Sequence, residues 1–155
     1  MTHDTMTAIR KGPFGDAGDR QTHSLEQNNQ NVQPVRSLVI DDDSTILRYV
    51  ALILAMLKFQ EVETAQKKPE VMEKLSTGPY DLLLTDLEMP DVNGYRLSRM
   101  IKKKRHGTKI IMMTGRDKND CHGIVASKWV DGWLFKPFGL KELRPMLQCL
   151  GMVRD

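Results

Sequence analysis

The feature that most constrains the fold is a pattern repeated five times from Val35 onward, in which a short apolar run is followed by a segment of helical periodicity. The runs LVI, LLLT and KIIMM have no polar face, which is typical of strands that helices cover on both sides in a parallel sheet. The pattern therefore predicts an α/β fold, a (βα)5 doubly wound parallel sheet. Predicted strands cover residues 37–40, 60–64, 82–85, 109–113 and 132–135, and predicted helices cover residues 44–57, 69–76, 94–104, 118–128 and 140–150.

The first 34 residues differ from the rest of the chain. They are rich in Gly, Asp, Gln and Asn, as in GDAGDRQTHSLEQNNQNVQP, and they have almost no apolar periodicity. We interpret residues 1–34 as a flexible tail and residues 35–155 as one domain, since 155 residues suit a single core.

Charge and cysteine content point to an ordinary cytoplasmic protein. The formal net charge is only +3, and much of the excess comes from the run Lys102-Lys103-Lys104-Arg105. We interpret this run as the solvated end of a helix that complements the helix dipole, so no direct contact with nucleic acid is expected. Cys121 and Cys149 lack the spacing of a zinc site, and no apolar run can span a bilayer, so we expect reduced thiols and no membrane insertion.

Polar residues follow four of the five predicted strands. The first strand ends in Asp41-Asp42-Asp43, the third in Asp86, the fourth in Thr114, and the fifth leads into Lys136. Right-handed crossovers bring these strand ends to one edge of a parallel sheet, where ligands of open α/β sheets bind. Carboxylates, a hydroxyl and an ammonium group are therefore expected to converge there.

The chemistry of this group suits phosphoryl transfer. Clustered carboxylates repel one another unless a cation balances them, and Mg²⁺ accepts a few carboxylates together with phosphate oxygens. One carboxylate can then act as a nucleophile toward phosphorus. Lys136 and Thr114 are suited to stabilising the charge of the transferred group.

Four motifs, LVIDDDS, LLLTDLEMPDVNGY, IIMMTG and WLFKPF, follow one another in this order. Together they resemble the receiver domains of two-component response regulators, particularly the single-domain chemotaxis type, and the resemblance covers residues 35–152. It implies the flavodoxin-like strand order 2-1-3-4-5. It also implies a stand-alone receiver in a phosphorelay, a switch that is not a turnover enzyme.

The same resemblance implies roles for the acidic residues. Asp86 would be the phosphoacceptor, phosphorylated by a sensor histidine kinase or a phosphotransfer protein. Asp42 would bind Mg²⁺ directly and Asp41 largely through water. Asp86 and the backbone carbonyl of Glu88 would complete the metal ligands. Glu88 and Arg116 would tune the lifetime of the acyl phosphate.

The resemblance also implies which residues contact the phosphoryl group and which change position in response. Thr114 and Lys136 would contact the phosphoryl oxygens, and the Lys136-Pro137 peptide would be cis, which X-Pro bonds tolerate. Thr114 and Trp133 would change position on phosphorylation.

The output face implied by the resemblance comprises the fourth helix, last strand and last helix, through which a downstream protein would be contacted. This face includes Trp129, Leu140 and Met146. Trp129 and Val130 stand where the family usually has Gly-Ala, so the end of the fourth helix is expected to differ from the family pattern.

Two other functions remain open on the residues alone. Asp41-Asp42-Asp43-Ser44-Thr45 also satisfies the DxDxT motif of haloacid-dehalogenase-like phosphatases, with Asp41 as nucleophile and Asp43 as general acid. Such enzymes need an acidic pair after a further strand, and only Glu142 and Asp155 follow Lys136. A receiver fold that serves as an interaction domain without phosphorylation is the other alternative.

Overall fold

The structure is a computed structural model that describes residues 34–155, so the predicted tail lies outside the described residues except for Pro34. Five parallel strands form one sheet in the order β2-β1-β3-β4-β5, which confirms the predicted fold and strand order. The strands are β1 Arg36–Ile40, β2 Glu61–Ala65, β3 Leu82–Asp86, β4 Lys109–Thr114 and β5 Gly132–Phe135. The helices are α1 Ser44–Met56, α2 Lys68–Ser76, α3 Gly94–Lys104, α4 His122–Val125 and α5 Leu140–Cys149.

Alternate residues of the central strands pack on opposite faces of the sheet. Val39 and Leu84 lie in one hydrophobic cluster with residues of α1 and α5. Leu38 and Leu83 lie in a second cluster with residues of α2 and α3. Burial on both faces explains why these strands are continuous apolar runs in the sequence.

Side-chain caps fix where the helices start after the strand ends. Asp43 accepts a hydrogen bond from the backbone nitrogen of Thr45 at 2.8 Å and caps α1. Asn93 accepts one from the backbone nitrogen of Arg96 at 2.9 Å and caps α3. Each cap satisfies a backbone donor that has no partner within its helix. The loops that carry the acidic residues are therefore anchored at both ends.

The fourth helix is much shorter than predicted. In place of a helix over residues 118–128, the structure has a 3₁₀ turn, Lys118–Cys121, followed by the single turn of α4. Gly123 has low helix propensity. Beyond α4, the Ser127 hydroxyl accepts a hydrogen bond from the backbone nitrogen of Trp129 at 3.2 Å and stabilises a turn there.

The basic run at the end of α3 is only partly solvated. Lys103, Lys104 and Arg105 are exposed, as expected. Lys102 is buried, and its ammonium lies 2.7 Å from the carboxylate of Asp131. The interpretation of the run as a solvated helix end is therefore wrong for Lys102, which is four residues after buried Ser98 and so lies on the inner side of α3.

Both cysteines are free, Cys121 buried and Cys149 exposed. Among residues 34–155, no helix combines the length and the apolar character needed to cross a membrane.

Candidate functional site

Three carboxylates meet at the carboxyl edge of the sheet. Ile40 and Thr85 are paired in the register of β1 and β3, so the residues that follow them, Asp41 and Asp86, lie at the same edge. One carboxylate oxygen from each of Asp41, Asp42 and Asp86 lies within 4.8 Å of the others. Asp41 and Asp86 are buried, whereas Asp42 is exposed. The group thus has a closed inner side and an open outer side.

Lys136 supplies a positive charge to these carboxylates. Its ammonium nitrogen lies 2.7 Å from Oδ2 of Asp41 and 3.5 Å from Oδ1 of Asp86. Its backbone nitrogen donates a hydrogen bond to the carbonyl oxygen of Thr114 at 2.7 Å, which holds the end of β5 beside the end of β4. The Lys136-Pro137 peptide is cis, as the resemblance implied.

The surroundings of Asp86 raise its pKa to about 6 from an ordinary value of 3.8. Burial is the largest cause, because it disfavours the charged carboxylate. Lys136 lowers the pKa, while the negative charges of Asp41 and Asp42 raise it. At neutral pH Asp86 is therefore mostly ionised, but its negative charge is poorly stabilised. A ligand that brings positive charge to this site is favoured.

The pKa of Lys136 is also raised, but its carboxylate neighbours are the cause. Burial lowers the pKa of its ammonium group, but the hydrogen bond and charge of Asp41, together with Asp86, more than compensate. The pKa of Lys136 is consequently above its ordinary value, so the side chain is cationic throughout the neutral range.

Gly94, at the start of α3, is a site residue that the sequence analysis did not single out. A Cβ atom at this position would overlap the backbone carbonyl oxygen of Asp86 and come within 3.1 Å of the sulfur of Met112. The backbone nitrogen of Gly94 also donates a hydrogen bond to the carbonyl oxygen of Leu87 at 3.0 Å. A glycine directly after the Asn93 cap is the signal that could have identified it. Its lack of a side chain lets α3 start against the loop that carries Asp86.

Thr114 and its neighbours form the wall on the β4 side. The Thr114 side chain is buried, and its hydroxyl accepts a hydrogen bond from the backbone nitrogen of Arg116 at 3.1 Å. The guanidinium of Arg116 forms an ion pair with the carboxylate of Glu88, in which Nε lies 3.1 Å from Oε2. Glu88 follows Asp86 by two residues and bridges to Asn93 through its backbone. The structure thus brings Thr114, Arg116 and Glu88 to the rim of the acidic site.

Trp133 lies on β5, which pairs with β4 in the sheet. It is partly buried against a cluster of Leu87, Met112 and Val130, and its ring stacks on Phe135 with centroids 6.4 Å apart. The indole nitrogen is buried and has no hydrogen-bond partner among the described residues. An indole N–H without a partner is unfavourable when buried, so this orientation of Trp133 is not held by a polar contact.

The donor set of the site fits Mg²⁺. Hard divalent cations of this size prefer oxygen ligands, take one or two carboxylates, and keep several waters. Asp41, Asp42 and Asp86 offer carboxylate oxygens within reach of one another, and the exposure of Asp42 leaves an open side for water or a phosphate group.

A family model for the response regulator receiver domain matches residues 37–148. The chain belongs to this family. Receiver domains are parts of two-component systems that take phosphoryl groups from histidine kinases, and phosphorylation on aspartate and Mg²⁺ binding are typical of them. Membership over this range leaves the phosphatase alternative without support, and Asp43 serves as a helix cap in this receiver.

Two curated relatives of this receiver are longer proteins. It is 31% identical over 121 residues to the transcriptional regulatory protein ResD of Bacillus subtilis, covering 77% of this chain and 47% of ResD. It is 29% identical over 116 residues to the transcriptional regulatory protein CiaR of Streptococcus pneumoniae, covering 75% of this chain and 51% of CiaR. The chain thus spans about half the length of these two relatives.

Solved receivers share the fold. The chemotaxis response regulator CheY4 of Vibrio cholerae matches with a TM-score of 0.66 and 26% identity, over 75% of this chain and 98% of CheY4. The response regulator TrrA of Thermotoga maritima, in complex with Mg²⁺ and BeF, matches with a TM-score of 0.65 and 30% identity, over 75% of this chain and 98% of TrrA.

Proposed function

We propose that this receiver accepts a phosphoryl group on Asp86 from a sensor histidine kinase or a phosphotransfer protein. The observation that carries the proposal is the position of the Asp86 carboxylate, which lies close to the Asp41 and Asp42 carboxylates and to the Lys136 ammonium. In this arrangement the Asp86 carboxylate can be the nucleophile, while the neighbouring carboxylates bind a cation and Lys136 stabilises the negative charge of the phosphoryl group.

In the transfer step, a carboxylate oxygen of Asp86 forms a bond to phosphorus. The bond from phosphorus to the donor histidine nitrogen breaks, and that nitrogen keeps the electron pair. With a pKa of about 6, Asp86 is mostly ionised at pH 7 and has the lone pair that the attack requires. Lys136, which lies 3.5 Å from Asp86, is positioned to pair with an oxygen of the transferred group.

Mg²⁺ is the proposed cofactor. Asp42 and Asp86 would hold it directly with the backbone carbonyl of Glu88, and Asp41 would act largely through water. When bound, Mg²⁺ offsets the negative charge of the carboxylates and of the phosphoryl oxygens. Support comes from the three convergent carboxylates and from TrrA, which is described in complex with Mg²⁺ and BeF.

The phosphorylated form would signal through Thr114 and Trp133. Thr114 is buried at the end of β4, and among residues 34–155 its hydroxyl accepts a hydrogen bond from the backbone of Arg116 alone, so it can turn toward a phosphoryl oxygen. Movement of Thr114 would open space for Trp133. The Trp133 ring would lose no hydrogen bond on moving, because its indole nitrogen has no partner among the described residues. Phosphorylation then shifts an existing equilibrium of the face formed by α4, β5 and α5. That face would contact a downstream protein.

The receiver is proposed to act as a switch and not as a turnover enzyme. Output would come from protein contacts of the receiver itself, as in a stand-alone regulator. CheY4 and TrrA, which this chain matches over 98% of their chains, are themselves described as response regulators.

Incubation with acetyl phosphate tests the proposal. Intact-protein mass spectrometry should show one phosphoryl adduct that requires Mg²⁺ and is removed by hydroxylamine. The adduct should be absent from Asp86→Asn and retained by Asp120→Asn, a matched change at an exposed aspartate outside the site. An adduct on Asp86→Asn in equal yield would exclude Asp86 as the acceptor.

A further inference from the structure

A groove runs between α2 and α3 on the face of the sheet opposite α1 and α5. It consists of two cavities, of about 180 Å³ and about 470 Å³, which share Met72 and Met100 as lining residues. Val71, Leu75 and Leu97 contribute further apolar lining. We call these two joined cavities the α2–α3 groove. Met72 is 45% exposed at its edge, so a large apolar side chain is presented to solvent there.

The groove has a strongly basic rim. Four of the charged residues that line it are cations, and one, Asp91, is an acid whose carboxylate accepts a hydrogen bond from the backbone nitrogen of Lys68. The cations are Lys68, Arg96, Lys104 and Arg105. None of these four forms a salt bridge with another described residue.

Helix stability accounts for only part of this charge. Lys104 and Arg105 lie at the end of α3, where positive charge complements the helix dipole. Arg96 lies in the first turn, where positive charge is unfavourable, and α3 itself carries no acidic residue. Asp91 and Glu88, which precede α3, each line a cavity together with Arg96, but among the described residues neither forms an ion pair with it. The positive charge of Arg96 therefore has a local cost that an anionic partner would offset.

We propose that the α2–α3 groove binds an amphipathic helical segment of a partner protein, with apolar side chains on one face and Asp or Glu at its flanks. The apolar side chains would fill the cavities beside Met72 and Met100, and the acidic flanks would pair with Arg96 and Lys104. Methionine side chains adapt to apolar partners of varied shape. α3 is 11 residues long, about 16 Å, which matches roughly three turns of a bound helix.

A protein segment fits this surface better than a nucleic acid. Phosphate backbones would use the cations but gain nothing from the apolar cavities. Sequence-tolerant binding of single strands needs exposed aromatic rings on which bases stack. Tyr80 is the aromatic side chain that lines the groove, and it is only 4% exposed. The combination of basic rim and apolar floor therefore selects a partner that is both acidic and apolar.

The test uses a fluorescein-labelled synthetic peptide about four turns long, with Leu at helical spacing on one face and Glu on both flanks. Two matched peptides replace every Leu by Ser or every Glu by Gln. Fluorescence anisotropy with the full chain at moderate salt should give a Kd of about 10 μM or tighter for the first peptide. Each matched peptide should bind at least tenfold more weakly.

Variants of the receiver locate the binding surface. The double variant Arg96→Glu/Lys104→Glu and the single variant Met72→Ser should each weaken peptide binding about tenfold or more. Arg48→Glu and Met56→Ser, matched changes at exposed positions of α1 on the other face, should leave Kd within about twofold. All the substituted positions are exposed, and thermal melts by circular dichroism establish that each variant is folded, which separates loss of binding from loss of the fold.

Three results would overturn the proposal. The first is that the peptide with Leu and Glu binds no more tightly than the Leu-to-Ser peptide. The second is that the α1 variants weaken peptide binding as much as the groove variants do. The third is preferential binding of a short DNA duplex that displaces the peptide and is insensitive to Met72→Ser, which would make the surface a polyanion site. Binding is measured without a phosphodonor and repeated with Asp86→Asn, so failure here is distinguishable from failure of the phosphorylation proposal.

Discussion

Lys136 donates a hydrogen bond from its ammonium nitrogen to Oδ2 of Asp41 across 2.7 Å, although the two residues are 95 positions apart in the chain. The Asp41 side chain is 1% exposed, and its other carboxylate oxygen, Oδ1, accepts a hydrogen bond from the backbone nitrogen of Asp43 at 2.9 Å. The distance from Lys136 to Asp86 is longer, 3.5 Å. Lys136 thus stabilises Asp41 in the resting state and leaves Asp86 the less neutralised of the two buried carboxylates.

Replacement of Lys136 by Met should slow phosphorylation of Asp86 strongly. The change removes the cation proposed to meet the phosphoryl oxygens, and loss of one such donor costs about 100-fold or more in rate. Initial rates of adduct formation from acetyl phosphate, followed by mass spectrometry at fixed Mg²⁺, measure the effect. Lys141→Met, at an exposed lysine of α5, is the matched control and should react at the wild-type rate. Equal rates for both variants would exclude this role for Lys136.

The raised pKa of Asp86 makes stability depend on pH in a defined direction. Because its folded pKa is about 6 against an ordinary 3.8, the folded protein binds this proton more tightly than the unfolded chain. The resulting stabilisation is complete below pH of about 4 and is lost as the pH rises through about 6. Without Mg²⁺, Asp86→Asn should therefore be more stable than wild type at pH 7, by about 2 kcal/mol.

Urea unfolding of both proteins from pH 4 to pH 8 measures this difference, which should shrink toward pH 4 as the carboxyl is protonated in both states. Asp120→Asn controls for loss of an exposed aspartate and should show no such trend. A difference between Asp86→Asn and wild type that is constant with pH would contradict the account of Asp86.

Gly94→Ala should destabilise the domain and impair the site together. The new Cβ would overlap the Asp86 carbonyl oxygen, which is backbone and cannot move without shifting Asp86 itself. We expect a loss of about 3 kcal/mol in the free energy of unfolding, together with slower phosphorylation. Gly107→Ala, where an added Cβ meets nothing within 4 Å, is the control. Wild-type stability and rate in Gly94→Ala would show that α3 can start differently.

Trp133 should report the switch by fluorescence. The chain has two tryptophans, so replacing Trp129 by Phe isolates the signal of Trp133. Inward movement on phosphorylation would bury the partly exposed indole further and shift its emission to shorter wavelength. The same protein carrying Asp86→Asn should not respond to acetyl phosphate. Unchanged emission on a protein shown by mass to be phosphorylated would argue against a switch role for Trp133.

The sequence was sufficient for the sheet and for the convergence of the acidic residues. Strands buried on both faces must be apolar throughout, so runs such as LLLT located β3 to within a residue of its end. The parallel topology then brought Asp41 and Asp86 to one edge, because chain connections in such sheets have a fixed hand.

Features that depend on packing between helices and strands could not be predicted from the sequence. Nothing in the run from Lys102 to Arg105 distinguishes the residue that pairs with Asp131, because the partner lies on a different element. Contact between Gly94 and the Asp86 carbonyl depends on how closely α3 approaches the strand end. The predicted fourth helix is longer than the observed one. The Ser127 hydroxyl stabilises a turn in place of the last predicted helical residues, and apolar periodicity carries no information about such side-chain hydrogen bonds.

The most direct test of the central claim identifies the residue that carries the phosphoryl group. The full chain is treated with acetyl phosphate and Mg²⁺, reduced with borohydride, which converts an aspartyl phosphate to homoserine, and mapped by peptide mass spectrometry. We expect homoserine at Asp86 alone, and none when Mg²⁺ is replaced by a chelator. Homoserine at Asp41 would contradict the account in favour of a different nucleophile. No modified aspartate under any condition would instead indicate a receiver fold that works as an interaction domain without phosphorylation.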